Sequence, residues 1–166
     1  HILALQGALG LTADEINRLL REARIADAKR PAVVAAFMLA MWKTKGNINP
    51  HSEYALLQIN AACRKAFTDA GKHDIADTIN LDIANDLLAD RAHRILKILR
   101  LLNIPALTSA HDYLGQLYEH FFRYVGGNTI GQYFTPRHIT RFMTDLVDVR
   151  ESDVVVDPTC GTGGFL

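Results

Sequence analysis

The sequence predicts a mainly α-helical chain in two parts. An N-terminal helical region precedes the first elements of a parallel α/β sheet. Two observations predict this order. Apolar residues recur at helical spacing as far as about residue 125. The chain then changes character, and a β-branched run, Val154–Val156, leads into an acid and a glycine-rich loop.

Composition limits the class of protein. The 166 residues are 49% hydrophobic, and 18 basic residues balance 18 acidic ones, so the chain is neither strongly basic nor strongly acidic. Only two cysteines occur, which predicts a reducing, cytoplasmic setting. No apolar run approaches the roughly 18 residues of a membrane span, and no histidine pair has zinc-ligand spacing with cysteines, so we expect no metal. The chain begins at His1 rather than Met, and we expect the natural protein to extend beyond both ends.

The first two helices have distinct start signals. Thr12 and Glu15 have the spacing of a capping box, which predicts a helix beginning there. Pro31 suits the first turn of a second helix. That helix, over residues 32–42, is apolar nearly all round and is expected at the centre of the core, with Trp42 buried beside Met38 and Met41.

Further helices follow along the N-terminal part. One is predicted over residues 52–70, ending at Gly71 as the residue after the cap. Residues 74–103 predict two helices with a weak break near Asp90, and residues 110–125 predict another. A stripe of four cations recurs three residues apart on the second of these helices: Arg91, Arg94, Lys97 and Arg100. Such a stripe is usually a solvated helix face, and contact with DNA phosphates is the alternative.

The α/β part begins with one more helix. Pro136 restarts a helix with Thr135 as its expected cap, and its apolar residues share one face. Residues 150–153 predict a short polar turn, and Val154–Val156 predict a strand buried on both faces of a parallel sheet. Because a lone strand is not stable, we expect the rest of the sheet beyond Leu166.

The loop after this strand predicts a ligand site. Strand, acid, glycines and a new helix form the first unit of a nucleotide-binding sheet. A phosphate-binding Walker loop would need a lysine after the glycines, and Asp157 would repel the pyrophosphate of a dinucleotide. S-adenosylmethionine fits better, because its ammonium and sulfonium groups favour a nearby carboxylate. The alternative is a tight strand-to-helix turn without a ligand. Cys160, with no histidine near it in sequence, is expected to be a small loop residue rather than a nucleophile.

A second stretch, GQYFTPRHI at residues 131–139, precedes the loop by one amphipathic helix. Its aromatic pair, hydroxyl and helix start offer groups that can close over an adenosyl or methionyl moiety. On its own the stretch is more typical of core aromatics followed by a helix cap.

Taken together, three blocks resemble a known family. They are Asp112–Gly115 with Tyr118 and Glu119, then Gly131–Pro136, then Asp157–Pro158 with Cys160–Leu166. Their order and spacing resemble the start of the catalytic domain of adenine-specific DNA methyltransferases, above all the modification subunit of type I restriction-modification systems. The resemblance implies an N-terminal helical domain over residues 1–108 and the first elements of a Rossmann-like α/β methyltransferase domain over residues 109–166. A relative in which restriction and modification are fused is also compatible.

The resemblance implies transfer of a methyl group from S-adenosylmethionine to the exocyclic amino group of an adenine that is flipped out of DNA. It also implies a cofactor site made of Gln132, Tyr133, Phe134, Thr135, Pro136, Arg137, Asp157, Gly161, Thr162, Gly163 and Gly164. The family's Asn/Asp-Pro-Pro-Tyr/Phe motif does not occur here, so we assign no catalytic residue and expect these 166 residues alone to be inactive.

The implied partners are DNA and the specificity and restriction subunits of the same system, in a hetero-oligomer without a membrane. Two other functions stay open. One is a helical interaction module joined to a nucleotide-binding domain without DNA chemistry. The other is methylation of a protein substrate.

Overall fold

A computed structural model describes residues 2–102, 135–160 and 163–165. Contacts divide the chain into two units, residues 1–126 and 127–166. The predicted domain boundary between residues 108 and 109 lies outside the described residues and stays a prediction, as does the helix predicted over residues 110–125.

The first unit contains four described helices: α1 (Ile2–Glu22), α2 (Arg30–Lys43), α3 (Ala55–Asp69) and α4 (Asp86–Leu101). Short 3-10 turns, Asp27–Lys29 and His73–Ile75, lie before α2 and between α3 and α4. The second unit contains α5 (Arg137–Val147). The predicted predominance of helix is confirmed in this part of the chain.

Helix α2 lies at the centre of the first unit, as predicted. It packs against both α3 and α4, while α1 packs against α4. The core is formed by fully buried side chains from all four helices, among them Ile16, Leu19, Phe37, Met41, Ile59, Cys63, Ile95 and Leu99. Trp42 was expected in this core, but it is 46% exposed, because it occupies the outer face of the last turn of α2.

Helix ends follow local sequence where backbone conformation decides them. Pro31 lies in the first turn of α2, as predicted. Gly71 has φ of +72°, and the N–H of Lys72 bonds the carbonyl of Phe67 at 2.8 Å, so Gly71 terminates α3 as predicted. The same arrangement ends α1 at Arg24, where φ is +57° without a glycine.

Two helix predictions are wrong. Helix α1 continues through Thr12, so the expected capping box is not a helix start; the helix begins ten residues earlier, at Ile2. The helix predicted from Asp74 to the break near Asp90 is absent from the described residues. An irregular segment lies there, and α4 begins at Asp86 because Asn85 caps it, its side chain accepting a bond from the N–H of Leu88 at 2.9 Å.

The cationic stripe on α4 lies on an exposed face at Arg94, Lys97 and Arg100, as expected, and three of its four members also contact other elements. Arg94 pairs with Glu15 at 2.8 Å, and Arg91 lies 3.4 Å from Glu22, so both tie α4 to α1. Arg100 donates to the carbonyls of Gly46 and Ile48 at 2.9 Å. Three of the four cations therefore hold the helical region together.

The predicted strand over Val154–Val156 is not formed in the described residues. These residues belong to no β-ladder there, and their side chains are 91%, 51% and 77% exposed. The physical reason is that a strand requires a neighbour to pair with, and the described part of the second unit supplies none. No described helix is both long and apolar enough to cross a bilayer.

Candidate cofactor site

The structure describes about half of the predicted cofactor residues. Thr135, Pro136, the backbone of Arg137, Asp157, Gly163 and Gly164 are described. Gln132, Tyr133, Phe134, Gly161 and Thr162 lie outside the described residues.

The Thr-Pro helix start differs from the prediction by one residue. Pro136, not Thr135, is the cap of α5, with the non-helical ψ of 135°. Its carbonyl accepts the N–H groups of Ile139 and Thr140 at 2.9 and 3.1 Å. Thr135 is exposed and precedes the cap position rather than occupying it.

A polar turn over residues 150–153 precedes the loop that begins at Asp157. The N–H of Arg150 donates to Oδ2 of Asp153 at 2.9 Å, and the N–H of Asp153 donates to the carbonyl of Arg150 at 3.0 Å. This is the turn predicted over residues 150–153. Two hydrogen bonds between Arg150 and Asp153 therefore close the turn. From Asp153 to Asp157 the chain is not helical.

Asp157 organises the start of the loop. Its Oδ1 accepts the backbone N–H of Thr159 at 2.9 Å and the hydroxyl of Thr159 at 3.3 Å. These bonds fix the carboxylate in an Asx turn. Its second oxygen, Oδ2, makes neither of these contacts. A carboxylate held in this way is oriented before any ligand arrives.

The glycines differ in what they permit. Gly163 has φ of +77°, and its N–H bonds the carbonyl of Cys160 at 2.8 Å, so a turn there requires glycine. Gly164 lacks a positive φ, and a Cβ at either glycine would meet no atom within 4 Å. In this structure backbone conformation, rather than crowding by the protein, explains Gly163.

A groove of about 940 Å³ lies beside Asp157 in the second unit. The C-terminal half of α5 forms one wall, and the chain around the loop forms the other. Its lining residues are Met143, Thr144, Asp145, Val147, Asp148, Val149, Val155, Val156, Asp157, Pro158 and Phe165. The groove therefore combines apolar side chains and an aromatic ring with three carboxylates.

Of the predicted site residues, Asp157 alone lines this groove in the described part of the chain; Thr135, Gly163 and Gly164 do not. Sequence reasoning did not assign Phe165, Asp145 of α5 or Asp148, the residue that follows α5, to the site. Phe165 was within reach, because it closes the glycine motif. The two carboxylates give no signal in sequence, because their approach to the loop depends on how the chain turns after residue 148.

Comparison with known families gives a match over the last third of the chain. Residues 109–166 match the family model described as N-6 DNA Methylase. The family resemblance stated from the sequence is confirmed over this segment.

Curated relatives match a similar length. The chain is 51% identical over 57 residues to the type II restriction enzyme and methyltransferase RM.BcgI of Heyndrickxia coagulans, covering 33% of this chain and 9% of that protein. It is 44% identical over 54 residues to the type I restriction enzyme EcoEI methylase subunit of Escherichia coli, covering 31% and 11%. It is 40% identical over 57 residues to the type I restriction enzyme MjaIX methylase subunit of Methanocaldococcus jannaschii, covering 32% and 10%.

The chain thus spans only about a tenth of the length of these relatives. No solved structure matches it.

Proposed function

We propose that this chain is part of an adenine-specific DNA methyltransferase of a restriction-modification system. The full-length protein would transfer a methyl group from S-adenosylmethionine to the exocyclic amino group of adenine in DNA. One observation carries the proposal: residues 109–166 match the N-6 DNA Methylase family, and the match includes the Asp157 loop and its glycines.

The described loop fits S-adenosylmethionine in chemical character. Asp157 offers a fixed carboxylate to the positive charge of the cofactor. Phe165 and the valines of the groove offer apolar surface. Gln132, Tyr133, Phe134, Thr135, Pro136 and Arg137, together with Gly161, Thr162, Gly163 and Gly164, are proposed to complete the site. When bound, the cofactor supplies the activated methyl group.

The Rossmann-like architecture is part of the same proposal. In the complete domain, residues 154–156 would form the first strand, and α5 would cover one face of the sheet. The exposure of Val154–Val156 supports this assignment, because three consecutive β-branched residues are costly to leave in water and gain by pairing within a sheet.

The partners follow from the resemblance. We propose that the full-length protein binds DNA and assembles in the cytoplasm with specificity and restriction functions. These functions are either separate subunits, as the names of the type I relatives suggest, or part of the same chain, as the name of the type II relative suggests.

The test is methylation by the full-length protein together with the products of its neighbouring genes, using labelled S-adenosylmethionine. We expect label in DNA, recovered as N6-methyladenine after digestion. Label in a protein instead would favour a protein methyltransferase. Cofactor binding without label in either would favour a helical interaction module joined to a nucleotide-binding domain.

A further inference from the structure

A second groove lies in the helical region, far in sequence from the cofactor loop. It has a volume of about 660 Å³ and runs between the outer face of α3 and the irregular segment that follows it. We call it the α3 groove. Its lining residues are Leu57, Asn60, Ala61, Arg64, Ala76, Asp77, Ile79, Asn80, Leu81, Asp82 and Ile83.

Asn60 fixes the shape of the α3 groove. Its side-chain Nδ2 donates to the carbonyl of Leu81 at 2.9 Å, and its Oδ1 accepts the N–H of Leu81 at 2.8 Å. Both backbone groups of Leu81 are therefore satisfied on the side facing α3. Arg64 pairs with Asp77 further along the same edge. The irregular segment is thus held at fixed points rather than lying loosely on α3.

Apolar side chains at the two edges of the α3 groove are not covered. Leu57 is 47% exposed on α3, and Ile83 is 54% exposed on the opposite edge. Leu57, Ala61 and Arg64 lie on the face of α3 opposite the core residues Ile59 and Cys63. A bound partner would remove this apolar surface from water.

Among its described lining residues, the α3 groove carries a small excess of negative charge, because Asp77 and Asp82 line it against Arg64 alone. Residues 73–90 contain five aspartates and no lysine or arginine, although the whole chain has zero net charge. All five aspartates are exposed: Asp74, Asp77, Asp82, Asp86 and Asp90. Of these, only Asp77 and Asp82 line the groove, and Asp90 is already paired with Arg91. Within the described residues, Arg64 is the sole cation lining the groove, and Asp77 already holds it. Phosphates would be repelled here, whereas lysine and arginine side chains would be attracted.

We propose that the α3 groove docks a cationic amphipathic helix of a partner protein. The apolar face of the helix would cover Leu57 and Ile83, and a lysine or arginine would face Asp82, the lining carboxylate that Arg64 does not hold. A helix fits better than an added strand, because Asn60 already satisfies the backbone groups of Leu81 that a strand would pair with. This inference does not depend on the methyltransferase proposal, and it assigns this face to protein rather than to DNA.

The test uses a fluorescent peptide of leucine, alanine and lysine, about 15 residues long, with its leucines on one helical face. Its binding to the chain is followed by fluorescence anisotropy. We expect saturable binding that weakens as salt is raised. The double variant Leu57→Ser, Ile83→Ser should weaken it about tenfold or more, because exposed apolar anchors carry most of the energy of such contacts. Asp82→Asn should weaken it less and reduce its salt dependence.

The matched control is Leu11→Ser, which removes an exposed leucine of α1 that does not line the α3 groove. This variant should bind the peptide as the unaltered chain does. Circular dichroism should show the same thermal midpoint for all variants, since each altered side chain is exposed or near the surface. Equal loss in the control and the groove variants, equal binding of a peptide with glutamate in place of lysine, or displacement of the peptide by duplex DNA would each overturn the proposal.

Discussion

The helical region and the second unit differ in how completely their apolar side chains are buried and their charged side chains are paired. In residues 11–102 four helices bury a common core, and cations of α4 are tied to α1 and to the loop after α2. In residues 135–165 one helix and an extended chain leave most apolar side chains exposed, including Phe142 at 61% and Leu146 at 68%. The described part of the segment that matches a known family, residues 135–160 and 163–165, is therefore less completely packed than the helical region. The core residues of the helical region are constrained by packing, whereas the described motif residues contribute little to packing.

The largest expected effect tests this difference directly. Phe37 is fully buried in α2, so Phe37→Ala should lower the free energy of unfolding of the chain by about 3–5 kcal/mol. Val154→Ala, at a side chain 91% exposed, should change it by less than about 0.5 kcal/mol. Urea unfolding followed by circular dichroism measures both. Similar losses in the two variants would show that the second unit is packed as firmly as the first.

The next effect concerns cofactor binding in the full-length protein. Asp157→Ala removes the fixed carboxylate, and a charge-assisted contact is worth roughly 1.5–3 kcal/mol, so affinity for S-adenosylmethionine should fall about tenfold or more. Glu151→Ala alters an exposed carboxylate in the preceding turn and serves as the matched control. Calorimetric titration of the cofactor gives both affinities. An unchanged affinity in Asp157→Ala would reduce the loop to a turn.

Substitutions at Gly163 and Gly164 distinguish two reasons for a loss of cofactor affinity: strain in the backbone and steric contact with the cofactor. Gly163→Ala places a side chain at φ of +77°, at a cost of roughly 1–2 kcal/mol, and should weaken cofactor binding about five- to thirtyfold. Gly164 does not have a positive φ, and an added Cβ would lie in open space, so the protein itself should tolerate Gly164→Ala. The same titration compares them. Equal losses would mean that the cofactor approaches the backbone closely at both positions.

A smaller effect is expected at the end of α1. Arg24 adopts φ of +57° where α3 uses Gly71 in the same role. Arg24→Gly should therefore stabilise the chain by about 1 kcal/mol, because glycine enters this conformation without steric cost. Arg21→Gly, inside the same helix, should destabilise it by about the same amount. Thermal unfolding distinguishes them, and a loss of stability in both would contradict the assigned helix end.

How much the sequence predicts depends on the range of the interaction. Pro31 and Gly71 were assigned correctly because their backbone constraints are local. The helix predicted from Asp74 failed although its apolar spacing was right, because Asn60, distant in sequence, holds Leu81 in an irregular segment. The solvated face expected for the cations of α4 is confirmed for Arg94, Lys97 and Arg100, which are exposed. Their partners on α1 and in the loop after α2 could not be predicted, because these contacts join residues distant in sequence. At the site, Asp157 and the turn at Gly163 follow from local sequence, whereas the α5 wall of the groove does not.

The smallest effect has a defined dependence on pH. The Arg18 side chain, by hydrogen bonding, and the charges of Arg18 and Arg94 hold the pKa of Glu15 below its ordinary value of 4.5. Because the folded-state pKa is depressed, the stabilisation is fully present above the unfolded value and is lost as pH falls through the folded value. Glu15 and both arginines are partly exposed, so the contribution at neutral pH is about 0.2–1 kcal/mol.

Glu15→Gln should therefore unfold at lower urea than the unaltered chain at pH 7, and the gap should close as the pH is lowered below 4.5. Urea titrations at a series of pH values measure this gap. Asp14→Asn, at an adjacent exposed carboxylate, should show no comparable gap at any pH. A gap for Glu15→Gln that persists at low pH would assign the effect to packing of the side chain rather than to its charge, and the charged contact between α1 and α4 would then contribute nothing to the stability of the helical region.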